Sequence, residues 1–127
     1  MTGNATYPSE DHEQMMFVQW FRRNYPGVLI FAIPNGGARH PAVAMKLKAT
    51  GVVKGIPDLF VPAWSLWIEM KRQYGGRVSP EQKEVMAYLD GIGHRAIVAK
   101  GAEDAKRQAL EYLSTVHGHS PQPARNE

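Results

Sequence analysis

The chain has 127 residues, of which 43% are hydrophobic, and its 15 Lys and Arg against 12 Asp and Glu give a formal net charge of +3. A chain of this length removes roughly two-thirds of its unfolded surface from water, enough for one domain with its own core. It contains no Cys, which excludes disulfide frameworks, thiolate zinc sites, iron–sulfur clusters and cysteine nucleophiles.

The two ends of the chain are polar and rich in Pro or Gly. We expect flexible segments over residues 1–8 and 117–127, and a single domain over 9–116. The first residues, MTGNATYPSED, lack both the basic and the apolar region of a signal peptide, and no apolar run approaches the roughly 18 residues of a membrane span. The sequence therefore predicts a cytoplasmic protein without a membrane anchor.

The first half of the domain predicts two helices separated by a strand. A helix is expected from Ser9, a good N-cap, to about Tyr25, because three acids fill its first turn and apolar residues recur at helical spacing. The run VLIFAI over 28–33 lies between Pro-Gly and Pro-Asn-Gly-Gly and predicts a buried strand. A short helix is expected from Pro41 to Thr50, ending at Gly51.

The second half predicts a hairpin followed by helix, strand and helix. Two strands are expected at about 58–62 and 65–72, with a two-residue link at Ala63-Trp64 that implies antiparallel pairing. Ser79 and Gln82 form a capping box at the start of a helix that runs to about Leu89. A strand over 94–99 and a helix over 102–116 complete the order α-β-α-β-β-α-β-α. This order is typical of a mixed α/β sandwich whose last strand returns parallel to the second hairpin strand.

Charged side chains converge at the ends of the two hairpin strands. Pro57-Asp58 begins the first strand, and Glu69-Met70-Lys71 lies near the end of the second, 11 residues after Asp58. Because side chains alternate along a strand, Glu69 and Lys71 project from one face and Met70 from the other. Two carboxylates and one ammonium group offer oxygen ligands for a hard divalent cation and a fixed positive charge that can hold a water.

This pattern resembles the signature of the PD-(D/E)xK nucleases, and the surrounding sequence resembles their VRR-NUC branch. The segments that carry the resemblance are GIPDL at 55–59, LWIEMK at 66–71, GGRVSPEQK at 75–83 and HRAIV at 94–98. Glu10 on the first helix, with Gln14 four residues later, matches the family's E-x-x-x-Q arrangement. The resemblance extends from about Ser9 to Ala99, and it implies a restriction-endonuclease-like fold with a mixed sheet flanked by helices.

The resemblance also implies a reaction, namely metal-dependent hydrolysis of DNA phosphodiester bonds. Asp58, Glu69 and the backbone carbonyl of Met70 would hold Mg²⁺ or Mn²⁺, with Glu10 acting directly or through water. Lys71 would orient the attacking water and offset developing charge. Small stand-alone members of this family resemble bacterial or phage enzymes that cut Holliday junctions or other branched DNA as homodimers, so two sites would cut two strands.

Several residues keep two interpretations. The acid from the first helix is expected to be Glu10, with Glu13 or Gln14 as alternatives, since acids in a first turn also favour the helix dipole. Gln82 serves the capping box, the catalytic site, or both. Trp64 and Trp67 are expected to pack in the hairpin rather than stack on bases.

Expected DNA contacts cluster in one stretch. Residues 39–72 carry a net charge of +4, whereas residues 1–38 carry −1 and residues 73–127 carry 0. The only acids in that stretch are Asp58 and Glu69, so a bound cation would leave its basic residues unopposed before a phosphate backbone. The candidate nucleic-acid contacts are Asn35, Gly36, Gly37, Arg39, Lys46, Lys54, Arg72, Tyr74 and Arg77.

The leading hypothesis is thus a structure-selective DNA endonuclease. A sequence-specific or non-specific duplex nuclease is the second, although the chain is short and shows no additional recognition module. The third is a DNA-binding subunit without catalysis, for which salt-sensitive binding and no metal-dependent product are expected.

Overall fold

The computed structural model describes residues 6–34 and 40–117. The predicted order of elements is confirmed, with one added 3₁₀ turn at Pro62–Trp64. The helices are α1 (Glu10–Asn24), α2 (Pro41–Ala49), α3 (Pro80–Gly91) and α4 (Ala102–His117), and the strands are β1 (Phe31–Ala32), β2 (Leu59–Val61), β3 (Leu66–Lys71) and β4 (Arg95–Lys100).

The four strands form one mixed sheet in the order β1-β2-β3-β4. β2 pairs antiparallel with β1 and β3, whereas β4 pairs parallel with β3. The hairpin and the parallel return are therefore confirmed. A parallel pair needs a long crossover connection, which α3 provides.

The core lies between the sheet and the helices α1 and α4. Alternate residues of β2, β3 and β4 face it, which places Ile68 and Met70 in the core and turns Glu69 to the opposite face. Phe17 and Phe21 of α1 and the alanine-rich face of α4 complete this core. α3 packs against β4 on the opposite face and contacts Glu69 there.

Both tryptophans of the hairpin are engaged in packing, as the sequence predicts. Trp64 makes edge contacts with Phe21 and Tyr25, and its carbonyl accepts a hydrogen bond from the Tyr112 hydroxyl at 2.8 Å. Trp67 stacks on Phe60 with ring centroids 3.9 Å apart and donates from Nε1 to a ring nitrogen of His94 at 2.9 Å. These contacts fix the hairpin that carries the charged residues.

The prediction of a buried strand over 28–33 is wrong. Only Phe31–Ala32 pairs as a strand, and both residues are exposed. Val28 and Ile30 reach the core, while Leu29 is 62% exposed. β1 is thus a short edge strand, and the residues that precede it reach the core with alternate side chains. An unbroken apolar run does not distinguish this arrangement from a strand buried on both faces.

The two-residue hairpin link is also wrong. Pro62–Trp64 form a 3₁₀ turn, and Ser65 follows with a φ of +49°. The extra length lets the Trp64 ring turn into the aromatic packing at the end of α1.

Helix α2 lies on the surface. None of its residues is buried, and Val43 and Met45 are exposed. Within residues 6–34 and 40–117, no helix is long and apolar enough to cross a membrane.

Candidate active site

A cleft of about 770 Å³ opens at the end of β3 where Glu69 and Lys71 lie. Its walls come from the start of α1, the segment after β1, the loop before β2 and the start of α3. The predicted site residues that line it are Glu10, Gln14, Lys54, Asp58, Glu69, Lys71, Arg77 and Gln82. Residues far apart in the sequence are thus brought to one end of the sheet.

The hairpin register brings Asp58 beside Glu69. Leu59 pairs with Ile68 in an antiparallel register. Asp58, just before β2, therefore lies opposite Glu69 of β3. The Asp58 carboxylate also accepts a hydrogen bond from the Met70 backbone N–H at 2.8 Å. This bond fixes Asp58 against the strand that carries the other two charged groups.

Glu69 is 2% exposed and only one of its oxygens is hydrogen-bonded. Oε2 accepts from Gln82 Nε2 at 2.8 Å and from Lys71 Nζ at 3.2 Å. Oε1 is buried, and no group in the described part of the chain donates to it. A buried carboxylate oxygen without a donor lowers the stability of the fold unless a further group, such as a cation, binds to it.

Burial is the main cause that raises the pKa of three carboxyl groups in the cleft, those of Glu69, Asp58 and Glu10. Burial, then the charge of Asp58, raises the pKa of Glu69 to about 7. Burial also raises the pKa of Asp58, although the Met70 N–H and Lys71 oppose this shift. The pKa of Glu10 is raised by burial and then by Asp58. Carboxyl groups destabilised in this way gain most from a bound cation.

Gln82 serves both the helix cap and the site. Its Oε1 accepts from the Ser79 backbone N–H at 2.8 Å, which completes the capping box, and from Lys71 Nζ at 3.2 Å. Its Nε2 donates to Glu69. The three bonds orient the amide, and they hold Lys71 and Glu69 in place from the first turn of α3.

Two glycines allow the close packing that shapes the cleft. Gly55 has a φ of +95°, and a Cβ there would lie 2.7 Å from the backbone carbonyl of Glu81 in α3. Gly76 lies against the stem of Lys71, where a Cβ would come within 3.1 Å of the lysine Cβ. The loop before β2 and the loop after β3 therefore fit closely around the site.

The acidic residues of the first turn of α1 face two directions. Glu10 and Asp11 line the cleft, as does Gln14. Glu13 is 1% exposed and turns to the start of α4, where its carboxylate accepts from the Ala102 N–H and from Gln73 Nε2, both at 2.8 Å. Glu13 thus binds three segments together, a role that sequence reasoning missed because nothing near Gln73 or Ala102 indicates the contact.

The donor set fits a hard divalent cation that shares its ligands with a substrate. In residues 6–34 and 40–117, no group of three or more His, Cys, Asp and Glu is placed to hold one ion. A cation at this position would draw on two carboxylates, Asp58 and the Glu69 Oε1 that lacks a donor. Met70 donates its N–H toward Asp58, and a strand residue presents its carbonyl to the same side. Mg²⁺ is commonly held by one or two carboxylates with waters and phosphate oxygens completing its shell.

The predicted DNA contacts are distributed unevenly. Lys54 and Arg77 line the cleft, and Lys54 pairs with Glu81 at 3.8 Å. Arg72 and Tyr74 are exposed on the loop after β3, and Lys46 is exposed on α2. The remaining four, Asn35, Gly36, Gly37 and Arg39, lie outside the described residues.

Comparison with known proteins shows similarity to a solved structure. No protein-family model and no curated protein matches the chain. A solved structure described as a VRR_NUC domain protein matches it with a TM-score of 0.70 and 28% sequence identity, over 86% of this chain and 91% of that one. Together with the four-stranded mixed sheet flanked by helices, this likeness supports a VRR-NUC domain in this chain and agrees with a restriction-endonuclease-like fold.

Proposed function

We propose that this protein is a metal-dependent DNA endonuclease that hydrolyses phosphodiester bonds. The observation that carries the proposal is the buried Glu69 Oε1, which lacks a donor in the described residues although it lies beside Asp58 and Lys71 in an open cleft. The likeness to a VRR_NUC domain protein supports a nuclease, and a nuclease requires nucleic-acid binding.

Asp58 and Glu69 would hold Mg²⁺ or Mn²⁺, with the Met70 carbonyl as a third oxygen and Glu10 at the edge of the site. When bound, the cation supplies a Lewis acid for the scissile phosphate. It would also offset the burial that raises the pKa of Glu69 and Asp58 and the charge of Asp58 that raises the pKa of Glu69 further. When ionised, Asp58 and Glu69 carry two negative charges against the one positive charge of Lys71 beside them, so the donor set attracts a cation.

Lys71 and Gln82 would organise the chemistry around the phosphate. Lys71 is 8% exposed, and its ammonium group contacts Glu69 and Gln82. A fixed cation in a partly buried cleft can orient a water and stabilise charge that develops on the phosphate oxygens. Gln82 would act through Lys71 and Glu69, as a positioning residue.

Branched or junction DNA is the substrate that the family resemblance favours. Lys54 and Arg77 at the cleft, with Arg72 beside it, would contact phosphates, which position a strand without reading its sequence. Such contacts suit an enzyme that selects by DNA structure. Two cuts on opposite strands would require two copies, so a homodimer is proposed, and a mass measurement in solution tests it.

The test is a cleavage panel of a four-way junction, a flap, a splayed arm and a plain duplex, each with EDTA, Mg²⁺ or Mn²⁺. We expect metal-dependent products, most from the branched substrates. Glu69→Ala and Lys71→Met should lose activity by about a hundredfold or more. Glu84→Gln is the matched control, because Glu84 is an exposed acid on α3 outside the cleft.

Three results would overturn the proposal or part of it. Equal cleavage by Glu69→Ala and wild type would show that Glu69 has no part in catalysis and would overturn the proposed active site. Salt-sensitive binding without any metal-dependent product would identify a DNA-binding subunit instead. Equal cleavage of duplex and junction would keep the nuclease and remove the preference for branched DNA.

A further inference from the structure

Two exposed tyrosines that are close in sequence to residues of the candidate site contact each other. The rings of Tyr7 and Tyr74 have centroids 4.6 Å apart and an interplanar angle of 60°. Tyr7 is 49% exposed and Tyr74 is 65% exposed, so each ring keeps a large free surface. Tyr7 precedes Glu10 by three residues and Tyr74 follows Lys71 by three. The pair therefore joins the two chain segments that deliver charged groups to the cleft.

The loop that carries Tyr74 is held at several points. Gln73 donates to the buried Glu13 carboxylate at 2.8 Å. Gly75 has a φ of +85° and packs against the Arg72 guanidinium, and Gly76 packs on the Lys71 stem. A loop anchored on both sides of Tyr74 presents its ring in a defined position, which lowers the entropy lost when a ligand binds.

The distance to the site suits a neighbouring nucleotide. Three residues span at most about 11 Å, so the Tyr74 backbone lies within that distance of the Lys71 backbone. This corresponds to about three steps along one strand of duplex DNA. Arg72 and Arg77 flank the tyrosine in sequence, and both are exposed. Aromatic rings among cationic side chains are the combination that binds single-stranded nucleic acid.

We propose that Tyr7 and Tyr74 form a stacking site for an unpaired nucleobase within a few nucleotides of the scissile phosphate. This inference rests on the proposed nuclease function and specifies its substrate, which is DNA with an unpaired base next to the cut. In a continuous duplex, both faces of each base are already stacked, so the pair has nothing to bind.

The competing explanation is structural, since the ring contact also attaches the segment before α1 to the loop after β3. The two roles differ in the chemistry they require. Leucine keeps an apolar contact between the segments but lacks an aromatic face, whereas phenylalanine keeps the face and loses only the hydroxyl. Tyr88 provides a matched control, because it is 66% exposed and lies near the end of α3, away from the first turn of that helix, which borders the cleft.

The experiment measures binding and cleavage for wild type, Tyr7→Leu, Tyr74→Leu, Tyr74→Phe and Tyr88→Leu. Binding is measured in Ca²⁺ with a splayed arm that carries 2-aminopurine at the unpaired position beside the cut, and with a fully paired duplex. We expect Tyr7→Leu and Tyr74→Leu to weaken binding of the splayed arm about tenfold and that of the duplex less than twofold. We expect wild type and Tyr74→Phe to quench the 2-aminopurine fluorescence, and the two leucine variants to quench it less.

Each contrary result has a distinct meaning. Equal losses for the splayed arm and the duplex, or a Tyr74→Phe variant as weak as Tyr74→Leu, would overturn the stacking site while wild-type cleavage upholds the nuclease. A wild-type protein that cuts no DNA in Mg²⁺ would overturn the proposed function itself. Urea midpoints of all five proteins identify any variant whose loss comes from unfolding.

Discussion

Glu69 shows how a single side chain of a candidate site can oppose folding. Its carboxylate is almost fully buried, has one oxygen without a donor in the described residues, and lies next to Asp58. Lys71 and Gln82 compensate the other oxygen only. Residues of this kind are expected where function requires a strained or unpaired group.

Replacing Glu69 by Gln should stabilise the metal-free protein at pH 8. The pKa of Glu69 is raised from 4.5 to about 7, so between these values the folded state binds more protons than the unfolded state. The free energy of unfolding therefore falls as pH rises through this window, by up to roughly 3 kcal/mol. Below about pH 4.5 the carboxyl is protonated in both states and this loss is absent.

Urea denaturation at pH 5 and pH 8 in EDTA measures this effect. The difference between wild type and Glu69→Gln should widen from pH 5 to pH 8, because all other titrating groups are common to both proteins. Adding Mg²⁺ at pH 8 should reduce the difference by stabilising wild type alone. Parallel pH profiles for the two proteins would contradict the raised pKa.

Glu10 and Glu13 should respond differently to alanine. Glu13→Ala leaves the Ala102 N–H and the Gln73 amide without their buried acceptor, so we expect a loss of about 2–4 kcal/mol of stability. Glu10 lines the cleft, so Glu10→Ala should change stability by less than about 1 kcal/mol and lower cleavage strongly. Urea midpoints and single-turnover cleavage of both variants test the assignment, and the reverse pattern would assign the catalytic role to Glu13.

At the scale of elements, the position of α3 decides whether the site is complete. Its first turn supplies Gln82, and the capping box with Ser79 fixes the direction in which the helix begins. The loop before β2 meets this turn at Gly55. A shift of either element would move the amide that holds Lys71 and Glu69.

Gly55→Ala should therefore damage both fold and activity. The substitution combines a strained backbone conformation with a contact of 2.7 Å to the backbone of α3, and we expect a loss of roughly 3 kcal/mol or more. Gly51→Ala is the control, because Gly51 also has a positive φ, +108°, but open space around its Cβ position. Its cost should be about 1–2 kcal/mol, with cleavage retained. Equal urea midpoints for the two variants would show that the packing at Gly55 is unimportant.

At the scale of the whole molecule, the parallel pairing of β3 and β4 gives the sheet two different ends. Glu69 and Lys71 lie at one end with Arg72 and Arg77 nearby, whereas Arg95 begins β4 at the other end. A phosphate backbone that reaches the cleft would approach the first end only. The small net positive charge of the chain therefore matters for DNA binding through the basic residues at the cleft end of the sheet.

Arg77→Ala should weaken DNA binding more than Arg95→Ala. Loss of one phosphate contact should also reduce the slope of log affinity against log salt by about 0.9. Arg95, exposed and remote from the cleft, should leave both the affinity and the slope nearly unchanged. Fluorescence anisotropy with a junction substrate over a series of salt concentrations measures these quantities. Equal effects of the two substitutions would mean that DNA does not bind at the cleft end.

Most of the fold and the central part of the site could be predicted from local signals. As N-cap residues, Ser9 and Ser79 predict where α1 and α3 begin. The alternation of side chains along 66–71 places Glu69 and Lys71 on one face of the strand. The hairpin then brings Asp58 to them through its register. The limits of β1 could not be predicted, because its apolar residues are the same whether the strand is central or at the edge.

The sequence by itself determined the order of the helices and strands, the pattern of Asp58, Glu69 and Lys71, and the capping box. Each of these depends on residues close together in the chain. Tertiary structure alone decided which acids of α1 face the cleft and which ring Tyr74 contacts. It also decided that Gln82 both caps α3 and bonds to Lys71 and Glu69. These features depend on contacts between residues as many as 89 positions apart, as for Glu13 and Ala102. Hydrogen bonds and ring contacts of this kind leave no periodic trace along the chain, because their partners are brought together only by the packing of the helices on the sheet.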